Sequence, residues 1–294
     1  MIYSIENKTL KVEIDTLGAQ LQSIYSKLTG REYLWQGEPE FWKGRAYNLF
    51  PTIGRMVDGI FVYKKTEYPI KPHGIARYSE FELFDRTATK ITFVLKSDAE
   101  THKVYPFEFT FFVTFELKNN ELGVTYRVKN DDEKLLIYAI GGHPGFNVPF
   151  GEGEFEDYYL EFSERSATVQ HLLSEDKFMS GETQPFPLEE GNKLSLTHAL
   201  FNFDAVILAN TSREISLKSK EDGAYITFKY PDYRYLGLWH TTGMEAPFVC
   251  LEPWSSLPAK DGRVDDLEKK SAMNKLKTGE EKTHFYSITI HEED

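Results

Sequence analysis

An all-β protein, a large antiparallel β-sandwich, is what this sequence predicts, and three observations carry the prediction. Apolar and polar residues alternate with a period of two along many short segments. Those segments are bounded by Gly, Asn, Asp and Pro turn signals, and helical periodicity is scarce. Aromatic residues are abundant, with 22 Phe, 17 Tyr and 4 Trp in 294 residues, and such rings pack well on pleated surfaces. No Pro/Gly/Ser-rich linker, repeat or low-complexity tract breaks the pattern. Residues 1–294 are therefore expected to form one domain, as large sandwiches of this length commonly do.

The elements follow in order. Leu10, Val12 and Ile14 alternate with Lys11, Glu13 and Asp15; Gly18 punctuates, and the pattern resumes from Leu21 to Tyr25. Pro39-Glu40-Phe41-Trp42 reads as a short helical turn. The cleanest alternation is Phe107, Phe109, Phe111, Val113, Phe115 and Leu117. Leu122, Val124, Tyr126 and Val128 answer it after the turn Lys118-Asn119-Asn120-Glu121, which predicts an antiparallel hairpin with one buried face. Later strands are predicted over 214–218, 224–230 and 286–291, and a second helical turn over 264–270. The acidic end, His291-Glu292-Glu293-Asp294, reads as solvated.

Composition excludes several classes. The formal net charge is -12, with both signs interspersed and no basic stripe, which argues against nucleic acid as partner. The charge serves solubility. The single cysteine, Cys250, permits no intramolecular disulfide and no Cys-based zinc site. It could be a nucleophile, but its apolar neighbours favour a small buried core residue. No histidine pair has the spacing of a helical metal motif, so no metal or cofactor is expected. There is no signal-peptide pattern and no transmembrane stretch, so a soluble cytoplasmic protein with no membrane partner is expected. Oligomeric state is not legible.

Three segments carry chemistry. In Phe248-Val249-Cys250-Leu251-Glu252-Pro253-Trp254 a carboxylate follows four apolar residues of a buried strand, which the proline is expected to end. A Glu there is either turned to solvent, or paired, or kept for chemistry, because burying a lone charge is costly. In Lys71-Pro72-His73-Gly74-Ile75-Ala76-Arg77 and Ile140-Gly141-Gly142-His143-Pro144-Gly145 a histidine is flanked by Gly and Pro. Those neighbours fix the backbone and permit close approach. A histidine in such a turn, taken alone, is more often a surface or capping residue. Two such histidines and one Glu make a sensible set for acid–base chemistry on a neutral polar substrate.

These segments, with Asn48-Leu49-Phe50-Pro51-Thr52-Ile53-Gly54-Arg55, Leu200-Phe201-Asn202-Phe203-Asp204-Ala205, Leu236-Gly237-Leu238-Trp239 and Leu276-Lys277-Thr278-Gly279-Glu280, run in one order along nearly the whole chain. In that order the chain resembles the aldose 1-epimerase (galactose mutarotase-like) superfamily, closest to its LacX-like bacterial branch. The resemblance implies a β-supersandwich with its site in a cleft on one sheet face. It implies a cofactor-independent mutarotase acting on a small-molecule sugar, with Glu252 as base and His143 as acid. It also implies that His73 bonds near the ring oxygen and C1, and that Arg55 and Asp204 hold sugar hydroxyls. The plainer readings are a sheet-edge ion pair for Arg55 and a turn for Asp204.

One position departs from the pattern. Galactose mutarotases usually carry an aromatic residue after the His-Pro pair, where this chain has Gly145 followed by Phe146; that points away from galactose specificity. Two rivals share the fold. A hexose-6-phosphate 1-epimerase would need cations for the phosphate, and Lys43, Arg45 and Arg77 are the candidates if they converge beside His73. A carbohydrate-binding or regulatory protein without turnover is the other.

Overall fold

A computed structural model describes residues 1–292. Two antiparallel sheets face one another, as the alternation predicts. One has nine strands; the other has seven, and its order across the sheet is Met179–Pro185, Val169–Leu173, Val206–Ala209, Tyr235–Trp239, Phe248–Trp254, Gly141–Asn147 and Ala46–Leu49. A three-stranded sheet formed by Ile2–Glu6, Leu10–Asp15 and Gln20–Ser26 stands beside them.

The expected hairpin is present: Phe109–Lys118 pairs with Glu121–Asn130, setting Phe115 against Val124 and Val113 against Tyr126. Its buried face belongs to the nine-stranded sheet. There Phe111 stacks on Phe50 from the facing sheet, with centroids 4.8 Å apart, and Phe228 meets Phe146. Burying each such ring is worth about 1.5–3 kcal/mol. One polar link crosses this core: Tyr126 Oη donates to Asn48 Oδ1 at 2.6 Å, while Asn48 Nδ2 donates to the carbonyls of Gly18 and Ala19. The buried amide is satisfied, and it fixes the strand that carries Tyr47.

Four expectations are corrected. Residues 39–42 and 264–270 form hydrogen-bonded turns, not helices. The one α-helix among the described residues, Ala99–Val104, is set by a capping box in which Asp98 accepts from the Thr101 amide and Thr101 Oγ1 accepts from the Asp98 amide. Pro253 does not end its strand, which runs on to Trp254. The ladder to the His143 strand is paired at Gly141–Trp254 and at Gly145–Cys250 but open between them, so the amides missing at Pro144 and Pro253 leave no gap in a bonded stretch. Glu292 is not a free solvated charge: it accepts from Ser26 Oγ and Tyr33 Oη, both at 2.7 Å, and from Thr29. Glu293 and Asp294 lie outside the described residues. No helix among the described residues is long and apolar enough to cross a membrane.

Candidate active site

Alternation places the site on the outer face of the seven-stranded sheet. Along Phe248–Trp254, Val249 and Leu251 enter the main core, so Cys250, Glu252 and Trp254 point to the opposite face. Counting inward from the Gly141–Trp254 and Gly145–Cys250 pairs sets His143 directly across from Glu252. Tyr47 pairs with His143 on one side, and Gly237 with Glu252 on the other. One row across the sheet therefore reads Tyr47, His143, Glu252, Gly237.

His143 and Glu252 are almost fully buried, at 7% and 1% exposure. The imidazole Nε2 lies 3.3 Å from Glu252 Oε2. The Trp254 indole Nε1 donates to the same oxygen at 3.2 Å. Trp42 stacks on the His143 ring at 5.0 Å, while Tyr47 and Trp239 meet it edge-on. His143 Nδ1 is buried with no hydrogen-bond partner, so packed rings, not a second hydrogen bond, hold this imidazole. Burial drives His143 well below the ordinary imidazole value, helped by His73 and the Arg77 charge. Burial likewise drives the Glu252 carboxyl well above the ordinary carboxylate value, opposed by the Trp254 hydrogen bond. Both shifts favour a pair that is neutral overall and holds one proton between its members.

His73 hangs over this pair from a tight loop. Its amide donates to the Gly54 carbonyl at 2.8 Å, and the Gly54 amide donates back to His73 Nδ1 at 3.2 Å. Nδ1 is thus an acceptor, and Nε2 keeps its proton. The loop depends on Gly74, whose φ is +84° and where a Cβ would lie 2.2 Å from the Phe50 carbonyl oxygen. Burial, with the charges of Arg77 and Arg55, lowers the His73 pKa to about 3. His73 is a neutral hydrogen-bond donor here. Its ring lies 5.4 Å from that of His143.

Arg55 and Asp204 both line the cleft and pair with one another at 3.0 Å. Asp204 also accepts from the Ala205 amide, at a φ of 150° that side chains seldom adopt. The Arg55 ion pair is present but lies outside any strand, and Asp204 stands in a bend; both side chains keep a place in the cleft. Arg77 sits over the Tyr47 ring, its Cζ 3.5 Å from the centroid, and also lines the cleft.

The proposed convergence of Lys43, Arg45 and Arg77 does not occur. Arg45 is spent on the Gln22 carbonyl and Gln36 Oε1, and neither it nor Lys43 lines the cleft. The third cation is instead Lys177, set over the Phe203 ring. Sequence reasoning missed it because nothing in a loop's composition says where its tip lands. It also missed Tyr47, Trp239 and Trp254 as lining residues, although period-two counting from Glu252 reaches Trp254. Of the remaining histidines, His240 and His284 are buried and bonded to His198 and Tyr138; they are interior groups.

His143, Cys250 and Glu252 bring three potential metal-binding atoms within 4.8 Å of one another. The fit is poor. Burial and then the Glu252 charge push the Cys250 thiol well up, which keeps it protonated, and the other two donors already bond each other. The arrangement is suited to moving protons in a cleft of about 510 Å³, large enough for one hexose.

Comparison with known proteins decides the lineage. The family model described as aldose 1-epimerase matches residues 1–265. The chain belongs to the aldose 1-epimerase family. It is 36% identical to the plasmid-encoded protein LacX of Lactococcus lactis subsp. lactis, over 99% of both chains. A galactose mutarotase related enzyme from Lactobacillus acidophilus superposes with a TM-score of 0.94 at 36% identity, covering 99% of this chain and 97% of that one. A galactose mutarotase-like protein from Lactobacillus casei gives 0.94 at 35%, covering 99% and 100%. The fold is that of the galactose mutarotase-like proteins, as the resemblance in the sequence implies.

Proposed function

We propose that the protein is an aldose 1-epimerase that interconverts the α and β anomers of a hexose by acid–base ring opening and closure. The observation that carries this reading is the His143–Glu252 contact, 3.3 Å between Nε2 and Oε2, on the floor of a hexose-sized cleft. Opening a pyranose needs a base for the O1 proton and an acid for the ring oxygen O5, which are neighbours on one carbon. Glu252 takes the proton from O1; the C1–O5 bond breaks as C1=O1 forms, and O5 takes the proton from His143. Rotation about C1–C2 and the reverse transfers give the other anomer. The productive form has the shared proton on His143, and a transfer across the 3.3 Å contact reaches it. His73 donates from Nε2 toward the reacting end, and Arg55 with Asp204 holds hydroxyls further out.

A hexose phosphate is the second reading, and a specific feature favours it. Arg55, Arg77 and Lys177 line the cleft against one carboxylate, Asp204, since the Glu252–His143 pair is neutral overall. Arg77 and Lys177 rest on aromatic rings, not on carboxylates.

The test is polarimetry of freshly dissolved α-glucose, α-galactose and glucose 6-phosphate, side by side. Acceleration of at least one over the spontaneous rate is the expected result. No acceleration of any, with sugar still bound, would make this a binding protein of the same fold.

A further inference from the structure

We propose that Trp254 is a positioning residue, whose indole N–H, laid flat in a slot between Gly141 and Gly237, fixes Oε2 of Glu252 and leaves Oε1 to the sugar. The proposal rests on the mutarotase reading only for its kinetic consequences. Trp254 and Glu252 stand two residues apart on one face of their strand, and the indole Nε1 reaches Oε2 at 3.2 Å. His143 Nε2 contacts the same oxygen. Among the described residues no donor reaches Oε1.

The slot is visible in the two flanking strands. A Cβ on Gly141 would come within 3.0 Å of Trp254 Cδ1. A Cβ on Gly237 would come within 2.8 Å of Cζ2, and the three nearest atoms are all from the Trp254 ring. Gly237 has no left-handed φ. Its backbone does not need glycine; only the indole does. Gly237 is also the register partner of Glu252, so the ring crosses the sheet beside the carboxylate it holds.

The consequence follows from donor chemistry. An indole N–H can only donate, so it stabilises the ionised carboxylate against burial, which favours the protonated acid. With Oε2 engaged by the indole and by the His143 contact, Oε1 is the oxygen left free to accept the O1 proton.

The experiment compares the full-length wild type with Trp254→Phe, Gly237→Ala and the double variant. The readouts are kcat and KM on the fastest of the three sugars, the pH–rate profile, and the titration of Glu252 by NMR in ¹³C-glutamate-labelled protein. The Glu252 signal is assigned by its loss in Glu252→Gln. Trp254→Phe keeps a ring and removes the donor. It should lower kcat by roughly ten- to a hundredfold, as expected for losing a hydrogen bond to a charged group, with KM changed less than about threefold. It should move both the basic limb and the Glu252 titration to higher pH. Gly237→Ala should move both in the same direction by displacing the indole, and should add nothing to Trp254→Phe, because the methyl acts only through the ring. An unchanged Glu252 titration in Trp254→Phe overturns the proposal, whatever the rate does. If the wild type accelerates none of the three sugars, the mutarotase reading fails, and the carboxyl titration still decides the hydrogen bond.

Discussion

Glu252 must be ionised to act as a base, yet it is 1% exposed and burial favours its protonated form. That conflict sets the pH behaviour. From the ordinary values the acid limb of the rate belongs to the carboxylate and the basic limb to the imidazole, which is the order the sequence suggests. The structure reverses it. His143 is driven down and Glu252 up, so the pair gains a second proton when the imidazole protonates, on the acid side. It loses the shared proton from the carboxyl, on the basic side. The profile should be a bell whose two limbs belong to the pair. The check is temperature: carboxyl ionisation carries little enthalpy and imidazole ionisation much more, so the basic limb should barely move on warming while the acid limb shifts. The opposite pattern would restore the ordinary order. Glu252→Gln keeps shape and removes the base; turnover should fall on the order of 10²–10⁴, and a folded variant at wild-type rate would remove Glu252 from catalysis. His143→Asn should lower kcat and leave KM within a few-fold, since on the proposed reading Arg55, Asp204 and His73 would still hold the sugar. A normal kcat with a raised KM would make His143 a binding residue and move the acid role to His73. At this scale the site was partly legible. A Glu behind an apolar run and two histidines framed by Gly and Pro stand out because those neighbours have a physical cost or purpose. The cross-strand meeting of His143 with Glu252 did not stand out, because register over a separation of more than 100 residues is not written in either segment.

At the level of elements, the loop that carries His73 rests on one glycine. Gly74 combines a φ of +84° with a Cβ position 2.2 Å from a backbone oxygen. Gly243 has a similar φ, +72°, and nothing within 4 Å. The pair separates conformational strain from collision. Gly243→Ala should cost about 1 kcal/mol, at the low end for backbone strain, and leave activity intact. Gly74→Ala should cost more, because the Phe50 backbone cannot yield as a flexible side chain would, and it should also lower kcat by displacing His73. Urea midpoints and kcat measured on both variants check this; equal costs and unchanged kcat in both would show that the loop tolerates the collision. Strand existence was legible wherever one face is buried, as in Phe109–Lys118 and Glu121–Asn130, because period two is then enforced by the core. The helix Ala99–Val104 was missed because six residues are too few to display a period, even with a capping box at the start. Pro253 misled because proline is a strand breaker only where its amide is needed, and here the ladder is already open.

For the whole molecule, the sandwich separates two tasks. The core between the sheets holds the fold, while the outer face of the seven-stranded sheet carries the cleft, so side chains of opposite parity on one strand face the core and the cleft. Charge is distributed in the same divided way. The chain carries -12 overall, which repels an anion at long range, while the cleft gathers Arg55, Arg77 and Lys177. A neutral hexose feels neither field. A hexose phosphate feels both, and only the local cations can offset the general repulsion. Long-range terms are screened over about 8–10 Å at ordinary ionic strength, whereas a contact at Lys177 is screened less. If the phosphate is the natural handle, kcat/KM for glucose 6-phosphate should exceed that for glucose in the wild type. Lys177→Gln should then lower the phosphosugar value about two- to fivefold, the range for a partly exposed ion pair, and leave the glucose value unchanged. The two substrates measured on the two proteins give four numbers that decide the matter. A wild type that prefers glucose, with Lys177→Gln indifferent to both sugars, would show that Lys177 takes no part in binding and that the substrate is the free hexose.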